Sequence, residues 1–149
     1  MQPVTQAPVT PPPPPRRPTG ITVLALLQFV GGAIAIILGL VFIAVSPMLS
    51  GIAAGLPPML SALVSILGVF LLVAGLVALV VGWGLWTGKG WAWWLTVIIE
   101  CLGLVSGLVS IASGDLSALF GLAIAALILW YMFKPHVKNF FGIKIAFST

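Results

Sequence analysis

The chain has 149 residues, of which 61% are hydrophobic and 5% are charged, and its formal net charge is +4. A soluble domain of this length carries roughly a quarter charged residues, because its surface faces water. This composition therefore excludes a soluble globular protein and predicts an integral membrane protein. The basic residues lie near the chain ends and in one loop. They form no stripe that would bind nucleic acid.

The first segment, residues 1–20, is rich in Pro, Thr and Gln and has no apolar periodicity. We expect a disordered cytoplasmic leader with polyproline II character through Pro11–Pro15. It does not fit a secretory signal, because the apolar run that follows is too long and lacks a small-residue cleavage site. Arg16 and Arg17 are followed by Pro18 and Thr19, which also argues against a twin-arginine signal.

Four apolar runs follow the leader, over residues 21–45, 60–86, 91–113 and 116–133. Each is near or above the roughly 18–20 residues that a helix needs to cross a bilayer. The runs show no alternation of apolar and polar residues, which a membrane β-barrel would require. The sequence therefore predicts an all-α fold, an antiparallel four-helix transmembrane bundle over residues 21–133.

The connections between the runs differ in length. Residues 87–90 ("TGKG") and 113–115 ("SGD") are short and are expected to join antiparallel neighbours. The link over residues 46–59 is uncharged and mostly apolar, and it contains three prolines, the first of them Pro47. Proline breaks helices, so we expect this link to be a loop at the membrane interface or folded back onto the bundle.

The basic and aromatic residues predict the orientation. With four spans and a cytoplasmic N-terminus, all Lys and Arg residues fall on the cytoplasmic side, in agreement with the positive-inside rule. These residues are Arg16, Arg17, Lys89, Lys134, Lys138 and Lys144. The expected interface anchors lie at the same helix ends, and they are Trp83, Trp86, Trp91, Trp93, Trp94 and Trp130. We predict a plasma-membrane protein with both termini cytoplasmic and a basic, aromatic interfacial tail over residues 134–149.

Small residues recur along each span, and membrane helices associate where such residues allow their backbones to approach closely. In the second span they are seven residues apart, at Ser61, Gly68, Gly75 and Gly82. This spacing favours left-handed packing against a neighbouring helix. The other candidate packing residues are Gly103 and Gly107 in the third span, Gly31, Ala35 and Gly39 in the first, and Gly121 and Ala125 in the fourth.

Glu100 lies inside the third span, about 13 Å along the helix from Trp91 and close to the bilayer midplane. Helical phasing places it on one face with Trp93, Thr96, Gly103 and Gly107, so we expect it to point into the bundle. Gln28, in the first span, has a depth that allows a hydrogen bond to Glu100. No span contains Lys or Arg, so we expect an uncharged carboxyl group.

Two hypotheses for Glu100 remain open. In the first, it is a proton or cation site of a small transporter or channel, since acids within the membrane are usually functional. In the second, which we favour, it holds helices or subunits together through hydrogen bonds. There is no second acid or histidine in the spans, and transporters usually have more spans, repeats or broken helices.

The remaining candidates for chemistry carry less information. Cys101 follows Glu100 but lies about 100° further round the helix, which suits an inert thiol. His136 lies just beyond the last span, and Asp115 or Ser113 is expected to cap the fourth helix. No P-loop, HExxH, GxSxG or CxxC signature occurs. We therefore expect no enzyme, cofactor or metal site.

Three stretches of the sequence carry a resemblance to a known group. They are "RPTGITVLALLQFVGGAIAIILGL", "GLWTGKGWAWWLTVI" and "LWYMFKPHVKNFFG", and together they span residues 17–142. In this layout the chain resembles small four-span prokaryotic integral membrane proteins of unknown function. The resemblance implies the architecture and a bacterial or archaeal source. It implies no activity, and Glu100 is not part of the resembling motifs.

Three functions are compatible with these features. The one we expect is a structural or accessory subunit of a membrane complex, in contact with the lipid bilayer and with other membrane subunits or further copies of itself. The alternative is a small oligomeric channel or proton-coupled transporter that uses Glu100. A third is an adaptor whose proline-rich leader recruits a cytoplasmic module that binds polyproline II helices.

Overall fold

The structure, a computed structural model, describes residues 10–52 and 57–144. Residues 1–9 of the predicted leader, 53–56 of the predicted link and 145–149 of the tail lie outside these ranges. The described residues form five α-helices: α1 (Thr19–Ile52), α2 (Pro58–Trp86), α3 (Gly90–Ala112), α4 (Ala118–Met132) and α5 (Pro135–Phe140).

Among the described residues, α1, α2 and α3 are long and apolar enough to cross a membrane. The predicted fourth span corresponds to α4, which is apolar but has only 15 residues. Its rise is therefore about 22 Å, less than the roughly 30 Å of a bilayer core. The helix begins at Ala118 because Asp115 organises the turn before it. The Asp115 carboxylate accepts hydrogen bonds from the backbone N–H of Ser117 at 3.0 Å and from its hydroxyl at 2.5 Å.

The first helix is longer than the sequence predicts. The expected end at residue 45 and the expected break at Pro47 are wrong, because α1 continues through Pro47 to Ile52. A proline inside a helix has no N–H to donate to the carbonyl four residues earlier. Here the Ser46 hydroxyl donates to that carbonyl, on Ile43, at 3.0 Å, and so compensates for the missing donor.

The Ser46 hydroxyl also connects α1 to α2. The Ser65 hydroxyl donates to Ser46 Oγ at 2.7 Å, so a short chain of hydrogen bonds runs from α2 to the Ile43 carbonyl. Interhelical hydrogen bonds between hydroxyl groups are a common way of joining helices in an apolar environment. The same pair of serines therefore allows α1 to pass Pro47 and holds it against α2.

Helices α1 and α2 form an antiparallel hairpin with very close backbone approach. A Cβ atom built on Gly39 would lie 2.7 Å from the carbonyl oxygen of Gly68, and one built on Gly75 would lie 2.7 Å from that of Gly32. Gly82 faces Ala25 in the same register. Any side chain at the first two contacts would force the helices apart, so glycine is required there.

The packing stripe on α1 therefore differs from the predicted one. Its members lie seven residues apart, at Ala25, Gly32, Gly39 and Ser46, and all four are buried. Only Gly39 belongs to the predicted set with fourfold spacing. A Cβ built on Gly31, another member of that set, would meet no packing neighbour within 4 Å among the described residues. The α1 stripe thus has the same period as Gly68, Gly75 and Gly82 on α2, which keeps the two stripes in contact along the hairpin.

Helices α3 and α4 form a second hairpin with looser packing. A Cβ built on Gly107 would meet the Leu122 side chain at 3.2 Å, whereas at Gly103 and Gly121 no packing neighbour among residues 10–52 and 57–144 lies within 4 Å. The expectation that Gly103 packs against a neighbouring helix is therefore wrong for this chain alone. The α2–α3 turn and the α3–α4 turn each have a glycine with positive φ, Gly88 at 70° and Gly114 at 93°, a conformation that other residues rarely adopt.

The two hairpins share a hydrophobic core at one end of the molecule, the end that holds the α2–α3 turn. The residues of this core are completely or almost completely buried. They are Ile21, Ala25, Val81, Leu85, Ala92, Trp93, Val97, Met132, Val137 and Phe141. Towards the opposite end many large side chains are exposed, including Phe70, Leu102 and Phe120. At the end that holds the α2–α3 turn, α1 and α2 therefore pack closely against α3 and α4, while at the opposite end they do not.

Substitution of the hairpin glycines tests the α1–α2 contact. We expect Gly75→Ala to destabilise the protein by about 1–3 kcal/mol, because the new methyl group meets the Gly32 carbonyl and the Ile36 side chain at 2.7 Å. The matched control is Gly31→Ala, which adds the same methyl group where no packing neighbour in the described ranges lies within 4 Å. Thermal unfolding in detergent measures both, and equal stability of the two variants would contradict the packing.

Candidate functional site

The end of the molecule that holds the α2–α3 turn is rich in tryptophan. It combines one buried tryptophan ring with several exposed ones. Trp93 is completely buried, and its Nε1–H donates to the Met132 carbonyl at 3.0 Å. Its ring makes edge contacts with Trp94 and Phe133, with centroids 5.1 and 5.4 Å away. Trp93 was predicted to be an interface anchor, and this is wrong because its ring joins α3 to the end of α4. The other predicted anchors, Trp83, Trp86, Trp91, Trp94 and Trp130, are at least 36% exposed.

Basic side chains lie over the exposed rings at this end. The Arg17 guanidinium carbon is 4.1 Å from the ring centroid of Trp86, and Lys134 Nζ is 4.0 Å from that of Trp130. Such cation–π contacts suit the headgroup region of a membrane, where aromatic and basic groups meet. Arg16, Lys89, Lys138 and Lys144 are placed by the chain at the same end. Both acidic residues of the sequence lie elsewhere, at Glu100 in α3 and Asp115 in the far turn.

The described part of the predicted tail folds against this end. Val137 and Phe141, in and just after α5, are buried in the shared core. The Phe140 ring lies 3.0 Å from a Cβ built on Gly88, in the α2–α3 turn. The first residues of the tail therefore cover the turn between the second and third helices.

Glu100 lines a cleft of about 170 Å³ to which α1, α2, α3 and α4 all contribute. The cleft lies next to the shared core, where the two hairpins begin to separate. Its polar residues are Gln28, Thr96 and Glu100, and its apolar residues are Leu24, Leu27, Leu85 and Ile128. The structure thus brings together the three polar residues that the sequence singled out within the spans.

The expected hydrogen bond between Gln28 and Glu100 is absent. Among the described residues, neither of these side chains makes a hydrogen bond, and both are partly buried. The Thr96 hydroxyl donates to the Ala92 carbonyl at 2.8 Å, which leaves its oxygen free to accept. The cleft therefore presents a carboxyl group, an amide and a hydroxyl oxygen to whatever occupies it.

Two apolar grooves adjoin the cleft. The first, of about 380 Å³, lies between α1 and α4 and shares Leu24, Leu27 and Ile128 with the cleft. The second, of about 460 Å³, shares Gln28 and runs mainly along α2, with Ile99 of α3 at its edge. The polar groups of the cleft are thus bordered on both sides by grooves that are lined entirely or almost entirely by apolar groups.

The other candidate residues do not reach the cleft. Cys101 is exposed on α3. The His136 ring makes an edge contact with Tyr131, with centroids 5.9 Å apart, at the basic end. Leu24, Leu27, Leu85 and Ile128 were not singled out by sequence reasoning, because no local pattern tells which leucine or isoleucine faces a cleft formed by four helices.

The helical fold and the three long apolar helices indicate a membrane protein. The chain belongs to the family defined by the domain of unknown function DUF7144, which matches residues 20–136. This match extends from the start of α1 into α5 and includes every residue of the cleft. No curated protein and no solved structure matches the chain.

Removal of the Trp93 hydrogen bond tests the connection between α3 and α4. We expect Trp93→Phe to cost about 1–3 kcal/mol, because the buried Met132 carbonyl loses its donor. The control is Trp94→Phe, whose ring is 49% exposed and which should change stability by less than about 0.5 kcal/mol. Chemical denaturation in lipid–detergent micelles measures the difference, and a Trp93 variant as stable as the Trp94 variant would refute the assignment.

Proposed function

We propose that this chain is a multi-pass protein of a prokaryotic plasma membrane and acts as a structural or accessory subunit of a larger membrane complex. The observation that carries the proposal is the uneven packing of the two hairpins. Helices α1 and α2 are in close backbone contact at three positions spaced seven residues apart. In contrast, Gly103 on α3, one helical turn from Glu100, has no packing neighbour among the described residues. A partner helix that packs on Gly103 would also come within reach of the cleft.

Small uncovered residues support a partner more strongly than exposed leucines do. In a membrane, lipid covers large apolar side chains as well as another helix would, and helix association depends on close packing at small residues. Gly31, Gly103 and Gly121 lie on three different helices, and in the described part of the chain no packing neighbour comes within 4 Å of a Cβ built on any of them. The chain therefore offers positions for close contact that its own helices do not use.

The proposal includes four spans with both termini cytoplasmic. In this topology the membrane-crossing segment consists of α4 and the apolar residues that flank it, Leu116 and Phe133. The orientation is supported by the basic end described above, which places Arg17 and Lys134 among exposed tryptophans. Under the positive-inside rule this end faces the cytoplasm. The opposite end carries Asp115 and no basic residue in its turn.

Cysteine labelling tests the topology. In a Cys101→Ser background, Ser113→Cys should react with a membrane-impermeant maleimide in intact cells, because the α3–α4 turn is placed outside. Thr87→Cys, in the α2–α3 turn, should react only after the membrane is permeabilised. The reverse pattern would overturn the orientation, and reaction of both sites in intact cells would overturn the four-span topology.

Purification of the full chain from its own membrane tests the subunit proposal. In mild detergent we expect a complex of fixed stoichiometry with another membrane polypeptide, measured by native mass spectrometry. Gly103→Leu should reduce recovery of the partner at least tenfold, because a bulky side chain blocks close helix contact. Val105→Leu is the matched control, since it introduces the same side chain on the same helix at a position that is 60% exposed.

A second candidate function is a small oligomeric channel or proton-coupled transporter centred on Glu100. It is favoured by one observation, that Glu100 and Gln28 line a cleft to which α1, α2, α3 and α4 all contribute. Recovery of a homo-oligomer without other polypeptides would contradict the subunit proposal and support this candidate.

A further inference from the structure

The cleft at Glu100 and the groove between α1 and α4 adjoin each other, and together they offer a space with a polar part and an apolar part. Leu24, Leu27 and Ile128 line both the cleft and the groove. We propose that this space binds a single-chain amphiphile with a protonated amine head group. In this proposal the ammonium group lies in the cleft and the hydrocarbon tail lies in the groove.

The head group is inferred from the chemistry of the cleft. Its three polar residues can all present acceptor oxygens: the Glu100 carboxylate, the Gln28 side-chain carbonyl and the Thr96 hydroxyl. A primary ammonium group has three N–H donors and a positive charge, which complement these acceptors. An anionic head group would instead meet the carboxylate and be repelled.

The charge balance of the spans supports a cation. The sequence has no Lys or Arg between Arg17 and Lys89 or between Lys89 and Lys134, so the chain itself offers no basic partner to Glu100 within the spans. An isolated carboxylate at this depth is costly, and a bound ammonium ion would compensate its charge. The amphiphile and the carboxylate therefore stabilise each other in the charged state.

The tail is inferred from the groove. Its lining residues from α1 and α4 expose no polar surface to it, and Gly20 and Tyr131 lie at its end near the basic edge of the molecule. Val23, Leu27 and Leu127, which line the groove, are each at least half exposed, so it is accessible from the side. A ligand already dissolved in the hydrocarbon can thus enter without crossing an aqueous phase.

This inference does not depend on the subunit proposal, and its test uses a different readout. Glu100 is the only glutamate of the chain, so selective 13C labelling of glutamate gives a single side-chain carboxyl resonance. The full chain in lipid nanodiscs is titrated with n-dodecylamine at neutral pH. We expect a saturable shift of this resonance, and n-dodecanol at the same mole fraction should produce less than one tenth of it.

Variants test the polar and the apolar part of the site separately. Native mass spectrometry measures how much dodecylamine each variant binds. Glu100→Gln should weaken dodecylamine binding at least tenfold, whereas Asp115→Asn, which removes the same charge far from the cleft, should leave it unchanged. Ile124→Trp, which fills the groove, should weaken dodecylamine binding at least fivefold. Should Glu100→Gln fail to fold, the comparison of amine with alcohol on the unmodified chain still decides the question.

Three results would overturn the proposal. The first is a carboxyl resonance that does not shift or does not saturate with dodecylamine. The second is an equal response to dodecylamine and dodecanol, which would indicate apolar binding only. The third is undiminished amine binding by a folded Glu100→Gln protein. None of these results bears on whether the chain is recovered with a partner polypeptide.

Discussion

The backbone contact between α1 and α2 determines how the other helices can be arranged. Where Gly32 meets Gly75 and Gly39 meets Gly68, the carbonyl oxygen of one helix lies where a Cβ of the other would be. Contacts this close leave little freedom in rotation or register, because a shift of one residue would place larger side chains at the crossing. The hairpin therefore acts as a rigid support, and it sets the direction in which Gln28, one turn before Gly32, faces.

The second hairpin is attached to this support at one end only. Trp93 fills the space between α3 and the end of α4, and its hydrogen bond to the Met132 carbonyl holds both helices to the shared core. Glu100 lies two turns beyond Trp93, at the level where the hairpins separate. The cleft is thus a consequence of joining two hairpins at one end. Its polar residues lie where the shared core ends and the two hairpins begin to separate.

Much of this architecture could be predicted from the sequence because the signals are local. Apolar length predicted the helices, and the sevenfold spacing of Gly68 and Gly75 predicted a packing stripe. The matching stripe on α1 was not predicted, because the small residues of α1 also fit a fourfold spacing that includes Gly31 and Gly39. Only the contact with α2 shows which of the two spacings is used. The sequence predicts a helix break at Pro47, because no local pattern shows that the Ser46 hydroxyl replaces the missing N–H donor of Pro47. The environment of Trp93 and the walls of the cleft depend on contacts between distant segments, which no local pattern encodes.

Magic-angle-spinning NMR of the 13C-glycine-labelled protein in lipid bilayers measures the register of the α1–α2 hairpin directly. We expect inter-residue correlations between Gly32 and Gly75 and between Gly39 and Gly68, since their backbones are in contact. Loss of each correlation in the corresponding Gly→Ala variant would assign it. Correlations of Gly31 with Gly75 instead, or the absence of any glycine correlation between the two helices, would contradict the structure described here.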